Sequence, residues 1–123
     1  MKQIFVVPGR LPGMNEITNS NRGNRYAGAK LKKEAQATVC WAIKESGLTP
    51  VTRPFYLHCT WIEPNMRRDK DNVRAGVKFI LDALQETGVI RNDGWREVVG
   101  FTDSYKVNRK DPRIIVEIEE IEK

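Results

Sequence analysis

Between Val73 and Leu84 the apolar residues Val73, Val77, Ile80, Leu81 and Leu84 fall at offsets 0, 4, 7, 8 and 11, a single stripe at the helical period. A stripe of that width needs a surface to lie on. The surface is predicted by a second period near the C-terminus, where Ile114, Val116 and Ile118 alternate with Ile115, Glu117 and Glu119, the pattern of a strand with one buried face. Asp71 and Asn72 suit the start of the helix and Gly88 its end.

The remaining elements follow from the same periods. Gln3 to Val7 reads as a short first strand, stopped by Pro8, which has no amide hydrogen to give to a sheet ladder. Leu31, Ala35, Val39, Ala42 and Ile43 mark a helix over Ala29 to Ser46, closed by Gly47. "FYLHCTWI", Phe55 to Ile62, is rich in aromatic and β-branched residues and predicts a strand buried on both faces, with Trp61 in the core. Val98 to Val107 predicts another strand. The stretch from Pro8 to Ala27 is rich in Gly, Pro and Asn, carries Arg10, Arg22 and Arg25, and predicts a long basic N-terminal loop. The order is β-α-β-α-β-β: an α+β (mixed α/β) fold with a single mixed β-sheet of about four strands covered by two helices. By length, residues 1–123 make one domain.

Lys and Arg outnumber Asp and Glu by 21 to 16, and a net charge of +5 favours a polyanionic partner such as nucleic acid. Cys40 and Cys59 lie nineteen positions apart with no metal-binding spacing, which predicts reduced thiols and a cytoplasmic protein. No run reaches the roughly 18 to 20 apolar residues of a membrane span, and the apolar stretch after Met1 is too short for a secretory signal. Membranes are excluded as partners on this reading. With no GxxxxGK[ST] or GxGxxG loop, neither is a nucleotide cofactor expected.

Against the basic balance, Asp69 and Asp71 stand two apart inside "RRDKDNVR". On an extended chain two such carboxylates share a side, a spacing that grips a hard cation; Mg²⁺ takes one or two carboxylates and completes its shell with water and substrate phosphate. Asp93, in the "NDG" turn beyond the helix, offers a third oxygen donor. The plain structural alternatives are that Asp71 caps the helix, worth about 1 kcal/mol, and that Asp93 shapes its turn. An EF-hand loop is excluded, because its fifth, sixth and twelfth positions would be Val73, Arg74 and Ile80. The lone His58 adjoins Cys59 in a strand, so the two face opposite ways and make no catalytic couple; His58 reads as core or edge filler. Arg67, Arg68, Lys70 and Arg74 surround the acids and would lessen their repulsion of a phosphate backbone. Arg22, Arg25, Tyr26 and Lys30 combine charge with a stacking ring, a mixture that suits nucleic acid.

At "RRDKDNVRAGVKFILDAL" followed by "GVIRNDGW" the chain resembles the RusA family of Holliday-junction resolvases, small endonucleases of bacteria and their phages and prophages. The resemblance implies that Asp69, Asp71 and Asp93 are catalytic and bind Mg²⁺, with Mn²⁺ as a substitute, and that Lys78 belongs to the active site. It further implies a homodimer that cuts four-way junction DNA in recombination and repair. "LPGMNE" approximates the family's N-terminal pattern and brings Asn15 among the DNA-facing residues. Lys78 lies seven residues after Asp71, three more than the family spacing, which asks for a rearranged start to the helix; Lys70 and Arg74 are alternative cations. Two other readings are a non-catalytic DNA- or RNA-binding module and a broader flap or fork nuclease.

Overall fold

The computed structural model describes residues 1–23 and 25–122. In chain order these form β1 (Lys2–Pro8), α1 (Met14–Gly23), α2 (Arg25–Ser46), β2 (Phe55–Glu63), α3 (Lys70–Arg74), α4 (Val77–Glu86), β3 (Val98–Val107) and β4 (Arg113–Glu120). The strands make one mixed sheet in the order β1-β4-β2-β3, in which only β2 and β3 run parallel. Parallel neighbours need a long crossover, and α3 with α4 supplies it. The expected α+β architecture with a four-stranded mixed sheet is what the chain adopts.

One face of the sheet carries the core. Phe5 and Val7 of β1, Leu57, Cys59 and Trp61 of β2, and Ile114, Val116 and Ile118 of β4 pack against α2 and α4. From α4 come Phe79, Ile80, Leu81, Ala83 and Leu84, the larger of which each stabilise by about 1.5–3 kcal/mol on full burial. The alternation along β4 is as the sequence predicts. Gly47 and Gly88 both sit at positive φ, 63° and 78°, just past the helices they end.

Four expectations are corrected. β2 is not buried on both faces: helices cover one side only, so Tyr56 and His58 point to the open side while Leu57 and Cys59 point into the core. The stretch expected as a long basic loop is helical from Met14 onward, and α2 begins at Arg25 rather than Ala29. No side chain of α1 is buried, so no apolar stripe announces it; Ile17, packed partly against the core, is its apolar anchor. The helix expected as one rod from Asp71 is two, broken at Ala75 and Gly76. Gly76 presses against neighbours so closely that a Cβ there would stand 3.1 Å from Leu11 Cβ and 3.2 Å from the Trp61 ring. Amides at the break reach back three residues, Gly76 to Val73 at 3.2 Å and Phe79 to Gly76 at 3.1 Å, tightening the chain into a corner.

Candidate active site

The segment from Glu63 to Asn72 leaves the sheet at the C-terminal end of β2 and is clamped by the segment before α1. Arg68 donates from Nε and an Nη to the two oxygens of Glu63, at 3.0 and 2.8 Å, and from its other Nη to the Leu11 carbonyl and to Glu16, at 3.0 and 2.9 Å. Arg10 adds a second cation to Glu63 at 2.9 Å. Burial opposes the Glu63 charge, but the hydrogen bonds and charges of Arg68 and Arg10 outweigh it and hold the carboxyl below its ordinary value. A further tie joins the two segments: the Asn15 amide donates to Asn72 Oδ1 at 2.9 Å. Gly13 lies so near that a Cβ would come within 2.6 Å of the same oxygen, which is why only glycine fits beneath Asn72. The "LPGMNE" and "DKDN" stretches, remote in sequence, are thus one structural unit.

Within that unit Asp69 and Asp71 line a single cavity of about 600 Å³, with Glu63, Lys70, Tyr105 and Lys106 on its walls. Asp69 occupies the N-cap position of α3 with extended backbone, φ −65° and ψ 155°, yet its side chain makes no capping bond. Among the described residues nothing hydrogen-bonds or ion-pairs with that carboxylate. Asp71, inside the first turn, accepts the Asn72 amide on its Oδ1 at 2.9 Å and leaves its other oxygen without a partner among the described residues. Lys70 lies over the Tyr105 ring, 5.5 Å from its centroid. Burial first, and then Asp103, push the Tyr105 hydroxyl upward, with Asp71 contributing more weakly.

Asp93 belongs to a second constellation. Lys78, at the start of α4, donates to Asp82 at 3.0 Å and lies 4.0 Å from Asp93. The Asp82 bond, assisted by the Asp93 charge, raises the Lys78 pKa, so this amine stays an ammonium. Lys78 also lines a crevice with Asn21 and Gly28, where α1, α2 and α4 meet. The three aspartates do not form a ready-made trio: the one group of three or more Asp, Glu, His or Cys ligand atoms within 4.8 Å of one another among the described residues is His58, Glu117 and Glu119. That group lies on the open face of the sheet, where His58 meets Glu119 at 2.8 Å and Thr102 on its other nitrogen. The apolar look of β2 conceals it, and only the cross-strand register brings these residues together.

The basic residues divide in the same way. Arg68 is neutralised by two carboxylates, and Arg74 donates to Asp103 at 2.7 Å while lying over Phe101. Trp61 is buried and donates to the same Asp103 at 2.8 Å. Arg67, Arg22, Arg25 and Tyr26 are exposed, and Lys30 makes only a loose contact with Glu34 at 3.9 Å. Cys40 and Cys59 are buried thiols whose pKa values burial pushes to about 11 and about 12, far from the reactive range.

Two carboxylate donors without a protein cation, open to a cavity with basic walls, have the hardness and charge that a divalent cation bound between protein and phosphate requires. The structure therefore defines a single-sheet α+β domain with a pair of open acids in a cleft of mixed charge, lined by Glu63, Asp69 and Asp71 and by Arg68, Lys70 and Lys106. Residues 12–119 match the family model described as Endodeoxyribonuclease RusA. The chain belongs to that family and is an enzyme acting on DNA. No curated protein matches it. Among the described residues no helix is long and apolar enough to cross a membrane.

Proposed function

We propose that this chain is a Mg²⁺-dependent endonuclease of the cytoplasm that resolves four-way DNA junctions, working as a homodimer in recombination and repair. The observation that carries the proposal is the Asp69 carboxylate: it sits where a helix cap belongs, makes no cap, and shares its cavity with Asp71. In this reading Asp69, Asp71 and Asp93 hold the ion. The Asp93 carboxylate lies 4.0 Å from the Lys78 ammonium in the free chain, a long pairing to a largely exposed amine that can yield.

A carboxylate-held Mg²⁺ supplies an activated water and charge relief on the phosphate. The protein does the rest. Lys70 and Arg67, with Arg74 behind them, lower the repulsion between an acidic site and an anionic backbone. Lys78, kept protonated by Asp82, is a fixed positive charge for the departing 3′ oxygen and not a base. The Asn15 backbone amide and the Arg68 guanidinium hold the acidic segment against the start of α1 and the chain before it. Arg22, Arg25, Tyr26 and Lys30 on α1 and α2 offer charge and a ring to the DNA arms. Resolution needs two cuts, and a chain with one acid cluster presents two sites most simply through a two-fold dimer.

The test is incubation with synthetic four-way junctions, with and without Mg²⁺, beside Asp71→Asn. Expected is divalent-dependent nicking that disappears in the variant while binding persists or tightens. No cleavage by the wild type in any divalent ion would sink the enzyme reading in favour of a binding module. Equal cutting of flaps and forks would remove the junction selectivity.

A further inference from the structure

Of the eleven arginines, four, Arg10, Arg68, Arg74 and Arg113, are paired with acids and the rest have no carboxylate within 4.0 Å among the described residues. Three of the latter, Arg53, Arg91 and Arg96, share one groove of about 440 Å³ at the end of the sheet where β2 and β3 begin. One acid, Glu97, also lines that groove, leaving its walls net positive. Beside it Trp95 is 99% exposed, in the loop that carries Asp93.

That exposure is not the product of an untethered chain. The amides of Glu97 and Val98 both donate to the Gly94 carbonyl, at 3.2 and 3.1 Å, closing a tight turn around Trp95 and Arg96. The Phe55 amide donates to the Glu97 carbonyl at 2.9 Å, and the Val51 amide to the Val89 carbonyl at 2.7 Å, tying the two walls of the groove together. Gly94 has little room for a side chain, since a Cβ would meet Glu97 Oε1 at 3.0 Å and Asn92 Nδ2 at 3.1 Å. A held backbone thus presents a bare indole next to three available guanidinium groups. An isolated exposed ring is unremarkable, and so is a surface arginine. Their convergence two residues from Asp93 asks for a ligand with both a flat face and regularly spaced negative charge.

We propose that the Trp95 loop stacks on an open base at the strand-exchange point of branched DNA while Arg53, Arg91 and Arg96 hold the backbone of that strand. Stacking needs a base whose face is uncovered, which a continuous duplex does not offer and a branch point does. Duplex would therefore be gripped by the arginines alone. This rests on the proposed nuclease reading for its substrate and deepens it by naming how branched DNA is told from duplex.

The test uses the full chain in EDTA, where cutting is suspended, with a four-way junction carrying 2-aminopurine at the crossover and a duplex of the same sequence. For Trp95→Ala we expect a loss of about tenfold in junction affinity with duplex affinity unchanged, and disappearance of the 2-aminopurine signal. Trp95→Phe should recover part of both. Changing Arg53, Arg91 and Arg96 together to Gln should weaken junction and duplex alike and flatten the salt dependence by about 0.9 in log–log slope for each phosphate no longer neutralised. The proposal is overturned if Trp95→Ala binds the junction with wild-type affinity and signal, if it loses duplex equally, or if it sediments as a monomer where the wild type is a dimer. Cleavage with Mg²⁺, assayed in parallel with Asp71→Asn, separates the two ideas. Asp71-dependent cutting with an inert Trp95 defeats the stacking inference alone; a Trp95-dependent junction signal without any cutting defeats the nuclease reading alone.

Discussion

Glu63 and Asp69 line the same cavity, carry the same charge and lie six residues apart, yet the protein treats them in opposite ways. Glu63 is gripped by both arms of Arg68 and by Arg10, and its side chain is only 12% exposed. Asp69 has no capping bond and, among the described residues, no cation. A carboxylate with its lone pairs filled by guanidinium holds a loop in place; one left open beside it is available to something from outside. The two acids differ in burial as well as in partners: Glu63 is buried and held by guanidinium, whereas Asp69 is exposed and has no partner among the described residues.

The sharpest way to break this contrast is to neutralise the open acids. Asp69→Asn or Asp71→Asn should lower junction cleavage by about 10³-fold, measured in single-turnover nicking assays, with the urea midpoint unchanged. A large fall in the midpoint would show that these aspartates are structural after all. Glu63→Ala should do the reverse, costing about 3–5 kcal/mol in urea unfolding because the Arg68 charge, 11% exposed, loses its main partner. Gly76→Ala probes the corner between α3 and α4 and should cost about 1–3 kcal/mol, since the added methyl overpacks Leu11 and Trp61.

Lys78→Met tests the second constellation. Its side chain is 63% exposed, so loss of the Asp82 pair should change stability by no more than about 0.5 kcal/mol while cleavage falls by about tenfold or more. The smallest effect concerns acid. Glu63 has a folded pKa below its ordinary 4.5, so its contribution to stability is fully present above that value and is lost as pH falls through the folded one. Urea midpoints measured between pH 6 and pH 3 should therefore drop less steeply in Glu63→Gln than in the wild type.

Much of the fold is legible because period and burial coincide where a helix or strand faces the core. The alternation from Ile114 to Ile118 announces β4, and the stripe from Val73 to Leu84 announces helix but not its division into α3 and α4. α1 is invisible for the same physical reason: with nothing buried, it has no stripe to read. The double burial expected of β2 fails because hydrophobic content does not say how many sides of a sheet are covered. It also makes His58 look like filler, whereas Glu117 and Glu119 receive it across the ladder.

The candidate site shows the same division. Residue types and spacing draw attention to Asp69, Asp71 and Asp93, with cap and turn roles as the alternatives, while Lys78 comes in only through the family resemblance. Which oxygens are open, and which cations are already held, depends on chain segments fifty or more residues apart, such as Leu11 and Glu16 against Arg68.

Local chemistry in the amino-acid order therefore determined the elements with a buried face and marked the candidate acids, because period and residue type are properties of neighbours. The assembled fold decided the break at Gly76, the neutralisation of Arg68, the pairing of Asp93 with Lys78 and the exposure of Trp95. Each of those is set by what packs or pairs beyond the nearest neighbours in the chain, and no local pattern carries it.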